Sequence, residues 1–311
     1  MANINYQSTL KSSINKSIRD RLPTISYKTQ RKILLFSFLI VPLLLLCVFT
    51  LYPALQLFYL SFTYWDGFSP TKDWVGFSNY RDIFINPEMF SVFKTSLYYL
   101  GGGLLQLFLA LYFAVLLNSK IRARNVFKSI LFMPYIMNSV AIALIFTIFF
   151  SPEGTLNTIL SLVGLDSLQH SWLGNSNLVN YALASTSIWR HMGLSLIIFL
   201  GVLQSIPKEI YEAAKIDGSS GWNTFRYITL PSIKKVFELN LILTVSGAIS
   251  VFEIPFIMTK GANDSMTFVI STVDTAFKYS NFGLASAMSV ILLLIVGTIT
   301  LGQRLLLKER D

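Results

Sequence analysis

Six long apolar stretches separated by short polar segments organise the chain. A helix crossing a bilayer needs about 20 mostly apolar residues at a rise of about 1.5 Å each. The stretches run from Ile33 to about Ser61, from about Val92 to Leu117, from about Val126 to Phe150, from about Leu178 to Leu203, from about Val236 to Met258, and from about Phe282 to Leu307. The first exceeds the thickness of a bilayer, so it is expected to tilt or to continue past it. Backbone groups in hydrocarbon must be satisfied within the segment. The pattern therefore predicts an all-α integral membrane protein, with six transmembrane helices over residues 33–307, a polar tail over 1–32 and a short end over 308–311.

The polar segments carry their own pattern. Between the first two stretches, Ser78 is placed to cap a short helix with Tyr80, Ile83 and Phe84 on one face. The segment of residues 204–235, between the fourth and fifth stretches, predicts a helix–turn–helix. Pro207 suits a first helical position, and Glu209 and Glu212 suit the positive end of a helix. Gly218 can end that helix in a left-handed turn. Ser219 or Ser220 can cap a second short helix that Pro231 terminates or kinks, with Trp222, Phe225, Tyr227 and Ile228 as its apolar face.

Composition removes other classes. Of the 311 residues, 53% are hydrophobic and 13% charged, where a soluble domain carries about 25% charged residues. A water-soluble fold, a disordered chain and a fibrous one are excluded on those figures. The net charge of +9 comes from 25 basic and 16 acidic residues. In a soluble protein it would suggest nucleic acid. Here the basic residues sort by side. Lys11, Lys16, Arg19, Arg21, Lys28, Arg31 and Lys32 precede the first stretch, and Lys120, Arg122, Arg124 and Lys128 lie between the second and third. Lys208, Lys215, Arg226, Lys234 and Lys235 join the fourth to the fifth, and Arg304, Lys308 and Arg310 end the chain. Lys72, Arg81, Lys94, Lys260 and Lys278 lie on the other side. Nineteen against five predicts cytoplasmic N- and C-termini in a plasma-membrane protein and leaves no need for nucleic acid. The basic tail suits anionic lipid headgroups. The lone Cys47 excludes a disulfide framework, and His170 and His191 on separate segments make no metal site.

The loop over 204–235 is where a family becomes visible. Tyr211, Glu212-Ala213-Ala214, Asp217-Gly218 and Ile228-Thr229-Leu230-Pro231, after Leu203-Gln204-Ser205-Ile206-Pro207, resemble the EAA loop of permease subunits of binding-protein-dependent ABC importers, in the branch of maltose and glycerol-phosphate permeases. Val75-Gly76-Phe77-Ser78-Asn79-Tyr80, Phe132-Met133-Pro134 and Phe282-Gly283-Leu284-Ala285-Ser286-Ala287 extend the resemblance over roughly residues 30–307. Gly261-Ala262-Asn263 departs from it, where many relatives have Gly-Gly-Pro.

The resemblance implies a transport subunit that is not an enzyme. It implies two cytoplasmic ATP-binding subunits, a second homologous permease and an extracellular solute-binding protein, with a carbohydrate, an oligosaccharide, as cargo. Tyr211, Glu212, Ala213, Ala214, Asp217, Gly218, Trp222, Phe225, Leu230 and Pro231 would then meet an ATPase subunit, with Glu212 fixing the turn through backbone N–H groups. The chain lacks a Gly-rich phosphate cradle ending in Gly-Lys-Ser or Gly-Lys-Thr. It is thus expected to bind no cofactor, ATP and Mg residing on the partner subunits.

Polar and charged residues inside spans are costly and often functional. Tyr135, Asn138, Tyr181, Trp189, Arg190, Phe252 and Glu253 suit a carbohydrate path by combining aromatic faces with hydrogen-bonding groups. Equally, Arg190 can pair with Glu253 and tie spans four and five together. Gly101-Gly102-Gly103 suits close helix packing. An ion-coupled carrier of small polar solutes is the alternative, for which inverted repeats and broken helices would be expected; the halves show no convincing repeat.

Overall fold

The computed structural model describes residues 26–119 and 121–307. The basic tail before residue 26, Lys120 and the four residues after Leu307 lie outside it. The chain divides into two units, one up to Gln56 and one from Leu57 on.

The first unit is the greater part of helix α1 (Tyr27–Leu60), 34 residues long. At about 1.5 Å per residue it reaches about 51 Å, well beyond a hydrocarbon core of about 30 Å. A π-helical turn at Cys47–Leu51 interrupts it just before Pro53. Proline has no N–H to donate and its ring clashes with the carbonyl four residues back, here that of Phe49. The widened turn displaces that carbonyl.

In the second unit a two-residue hairpin, β1 (Thr63–Tyr64) against β2 (Asp73–Trp74), precedes α2 (Ser78–Ile85) and α3 (Pro87–Ser91). The turn between the strands is closed by Asp66. Its Oδ1 accepts from the N–H groups of Phe68 at 2.9 Å and Ser69 at 2.8 Å, and its Oδ2 accepts from the Ser69 hydroxyl at 2.7 Å. Those donors favour the carboxylate and hold the Asp66 carboxyl down at about 2. The expected cap at Ser78 is not made. Phe77 is the capping residue and Ser78 is already in the first turn. The face turned inward is Asn79 and Ile83, one turn apart, and Phe84 is 67% exposed. Asn79 Nδ2 donates to the carbonyls of Ser61 and Thr63, both at 2.9 Å, which ties α2 to the end of α1.

The remaining helices are α4 (Phe93–Asn118), α5 (Arg124–Ile136), α6 (Ser139–Phe149), α7 (Thr155–Leu162), α8 (Val179–Ser205), α9 (Lys208–Ile216), α10 (Gly221–Thr224), α11 (Leu230–Ile249), α12 (Glu253–Met258), α13 (Phe268–Phe277) and α14 (Phe282–Leu307). The third apolar stretch is thus two helices, bent by 98° between α5 and α6. Met137 and Asn138 are extended there, and Asn138 Oδ1 caps α6 by accepting from the N–H of Val140 at 2.8 Å. Side-chain patterning treats the stretch as one apolar run because the break lies in two backbone ψ angles, not in hydropathy.

The centre of this unit is α4, α8 and α11. Leu107, Ala110, Ala114, Leu196, Phe199, Leu200, Leu203 and Ile233 form one buried cluster along them, and Tyr99, Val179, Leu183, Ala248 and Ile254 belong to a second. Gly102 and Gly103 let the helices approach. A Cβ on Gly102 would meet Ala184 and Ile188 of α8, and one on Gly103 would press into Thr244 of α11, whereas Gly101 faces open space.

Candidate functional site

Two regions of the second unit have functional geometry. The first is the loop between α8 and α11. Pro207 is the capping residue of α9 and not its first helical position. The end of α9 is a Schellman motif: the Ser219 N–H donates to the Ala214 carbonyl at 2.9 Å and the Gly218 N–H to the Lys215 carbonyl at 3.1 Å, with Gly218 at φ +74°. Backbone groups alone close this turn. The Glu212 side chain is exposed and makes no hydrogen bond among the described residues, so the structure does not give it the turn-fixing role expected of it. Ser220 caps α10, accepting from the Asn223 N–H at 3.3 Å. Pro231 does not end the second helix. α10, a π-helical turn at Phe225–Thr229 and α11 run on without a break, with Pro231 in the first turn of α11. As in α1, the π turn contains the carbonyl four residues before the proline, that of Tyr227, and moves it off the ring.

This loop is anchored on one side and bare on the other. Ala214 is buried, and the Tyr211 hydroxyl lies 3.5 Å from that of Thr229. Ile216 is 86% exposed and Trp222 67%, with the Trp222 ring stacked on Phe225 at 5.7 Å. Ala213, Asp217, Leu230 and Pro231 are also exposed. A bare apolar surface on a short, rigidly capped helix pair is a docking surface in form.

The second region is a partly open cavity of about 180 Å³ among α4, α8 and α11, with room for several water molecules. Its polar lining is Gln106 of α4, Ser187, His191 and Ser195 of α8, and Asn240 and Thr244 of α11. Ala184, Ile188, Leu194, Leu243, Ala248 and Val251 supply the apolar wall. Gln106 Nε2 donates to Ser195 Oγ at 2.8 Å, and His191 Nδ1 to the Ser187 carbonyl at 2.9 Å. Asn240 Nδ2 donates to its own helix, at the Val236 carbonyl. The buried Tyr99 hydroxyl has no partner. That oxygen is shut off from the water-sized space of the cavity, so Tyr99 lines it with its ring and not with its hydroxyl.

None of the seven residues expected along a substrate path lines this cavity. Trp189 turns to α6, its ring 5.2 Å from that of Phe146, and Arg190 turns to α12, its Nη1 2.8 Å from Glu253 Oε2. The two charges therefore contact each other. Glu253 opens α12 after a break at residues 250–252, and Ser139 of α6 sits against the same carboxylate. Phe252 stacks on Phe256 at 4.7 Å, and Tyr181 meets Tyr98 edge-on at 5.1 Å. Asn138 is occupied as the cap of α6. Tyr135 comes nearest, its ring centroid 6.4 Å from that of the lining residue His191.

A sequence signal for the cavity existed. Ser187, His191 and Ser195 recur every fourth residue, as do Asn240 and Thr244, which is one face of a helix. Gln106 and Tyr99 stand out singly in an apolar run.

Residues 106–309 match the family described as "binding-protein-dependent transport system inner membrane component". The multiple sugar-binding transport system permease protein MsmF of Streptococcus mutans is 31% identical over 88% of this chain and 95% of its own length. The trehalose/maltose transport system permease protein MalF of Thermococcus litoralis is 32% identical over 85% of this chain and 90% of its own. Among solved structures, a chain of a bacterial ABC transporter that imports the acidic polysaccharide alginate superposes with a TM-score of 0.78 at 22% identity, covering 89% of this chain and 96% of that one.

Proposed function

Because the chain belongs to the binding-protein-dependent transport system inner membrane component family, as a multi-pass permease subunit of an ABC importer, we propose that its cargo is a carbohydrate, an oligosaccharide, bound on this chain in the cavity among α4, α8 and α11. The observation that carries this reading is the lining itself: the hydroxyl, amide and imidazole groups of Ser187, Ser195, Thr244, Gln106, Asn240 and His191, set in an apolar wall. A sugar hydroxyl both donates and accepts, so it uses such a mixed set. The sugar-transport relatives support the class of cargo. Family membership also removes the ion-coupled carrier, although the 98° bend between α5 and α6 is the kind of break that class uses.

In this reading the termini and the α9–α10 loop face the cytoplasm, where 19 of the 25 basic residues lie. The loop's bare face, with Ile216, Trp222 and Tyr227, seats in one of two ATPase subunits, which bind the ATP and Mg. The continuous run from α10 into α11 makes the loop a lever on the cavity wall, because Asn240 and Thr244 stand on the same helix. Closure of the ATPase pair then tips α11 together with α10, and the cavity alternates its access between the cytoplasm and a solute-binding protein outside. A second permease completes the pathway. A solved relative of the same fold in complex with a sugar-bound periplasmic protein supports this assignment of partners.

The test is uptake by the assembled importer in proteoliposomes. Ser187→Leu fills the cavity and is expected to lower saccharide uptake at least tenfold, with co-purification of the partner subunits confirming assembly. Uptake equal to that of the wild type would move the site elsewhere.

A further inference from the structure

The cavity sets a few polar groups in a mostly apolar wall and carries no charge: among the described residues no Lys, Arg, Asp or Glu lines it. His191 donates its Nδ1 hydrogen to the Ser187 carbonyl, so the neutral ring offers Nε2 as an acceptor. One cation stands at this depth. Of the basic residues in α4, α8, α11 and α14, Lys94 and Arg304 lie in a first or last turn, Lys234 and Lys235 in the second turn of α11, and Arg190 alone lies mid-helix. It immediately precedes His191 in sequence. Its side chain is 16% exposed, its Nε is buried without a partner, and its Nη1 is held at 2.8 Å by Glu253. Glu253 reaches it only because the chain breaks at 250–252 and restarts as α12, which packs on α6 and α8.

We propose that Glu253 sets the charge selectivity of the pathway: by pairing with Arg190 it cancels the one mid-membrane cation beside the cavity, so the chain passes uncharged saccharides and rejects those bearing carboxylates or phosphates. The inference rests on the carbohydrate reading above. An anion leaving water for this site loses its hydration and finds no charge to replace it, and an unpaired anion in such a setting is strongly disfavoured. The acceptors in the lining, Asn240 Oδ1 and His191 Nε2 among them, suit hydroxyls and repel carboxylates. A free guanidinium would reverse the preference, since its planar fork is the ordinary partner of carboxylate and phosphate. The fold shared with the alginate importer does not fix the charge of the cargo, because this pair is a property of side chains.

Two measurements test this on the assembled importer. The first is uptake from matched panels: cellobiose and galactobiose against cellobiouronate and digalacturonate, with glycerol 3-phosphate as a phosphate probe. Neutral sugars are expected to enter at least tenfold faster. Equal uptake of the acidic sugars overturns the inference and leaves the carbohydrate reading standing. Uptake of no saccharide of either kind defeats the carbohydrate reading and the inference with it. The second measurement needs no cargo and no receptor. In a Cys47→Ser, Thr244→Cys background, an anionic and a cationic methanethiosulfonate report the potential in the cavity. Glu253→Gln is expected to raise the anionic-to-cationic ratio of reaction rates by about two orders of magnitude, since an uncancelled charge about 10 Å from the thiol, at an effective dielectric of about 20, speeds the anionic reagent and slows the cationic one by more than tenfold each. An unchanged ratio overturns the role of Glu253, whatever the uptake panel shows.

Discussion

Single residues decide the geometry of both functional regions. Gly218 sits at φ +74°, where a Cβ meets the following carbonyl, and both Schellman hydrogen bonds depend on that conformation. Gly218→Val is expected to cost about 2 kcal/mol at the turn, and nothing packs on Gly218 that would add to it. The chain should still insert, with loss of substrate-stimulated ATPase activity in the assembled importer. Normal coupling in that variant would show that the α9–α10 loop does not transmit ATPase motion. Glu212 illustrates the opposite case. Its place in a recognisable motif suggested a structural role, yet the turn is closed by backbone groups, which leaves its carboxylate to the bare surface.

At the scale of elements, close approach and interruption matter more than helix content. Gly193 of α8 touches the backbone of α5: a Cβ there would collide with the Leu131 carbonyl oxygen and with Phe132 Cα. Backbone cannot move aside as a flexible side chain can. Gly193→Ala is therefore expected to destabilise the protein by about 1–3 kcal/mol, as overpacking does, read as a lower thermal unfolding midpoint in detergent. An unchanged midpoint would mean that α5 and α8 are not held in register by this contact. The two π turns share a feature, each containing the carbonyl four residues before a proline, at Pro53 and at Pro231, whereas Pro42 and Pro134 sit inside helices without one. At Pro231 the widened turn lets a proline expected to end a helix sit inside a continuous one. Pattern reading could place the proline but not choose between stopping the helix and widening it, because that choice depends on whether the following residues have a core to join. Here Ile233 is fully buried beside Leu200 and Leu203, and the helix continues into that core.

For the whole molecule the orientation is the property to test. With Cys47→Ser as background, Thr71→Cys lies between β1 and β2 and Asn223→Cys lies on α10, both at exposed positions. A membrane-impermeant thiol reagent applied outside intact cells is expected to label the first and spare the second. The reverse pattern would invert the arrangement inferred from the basic residues and place the bare loop away from any cytoplasmic ATPase.

The sequence by itself determined that this is a helical membrane protein, which stretches are apolar enough to cross and which family the α9–α10 loop belongs to. Those properties are local: hydropathy, charge per loop and a run of motif residues each read within one segment. Tertiary structure alone decided where the candidate binding cavity lies. Tyr99, Gln106, His191, Asn240 and Thr244 come from three helices far apart in sequence and become one site only when glycines at 102 and 103 let α4 meet α8 and α11. It also decided what Arg190 and Glu253 do, since 63 residues separate them and only the break before α12 brings the carboxylate within 2.8 Å of the guanidinium.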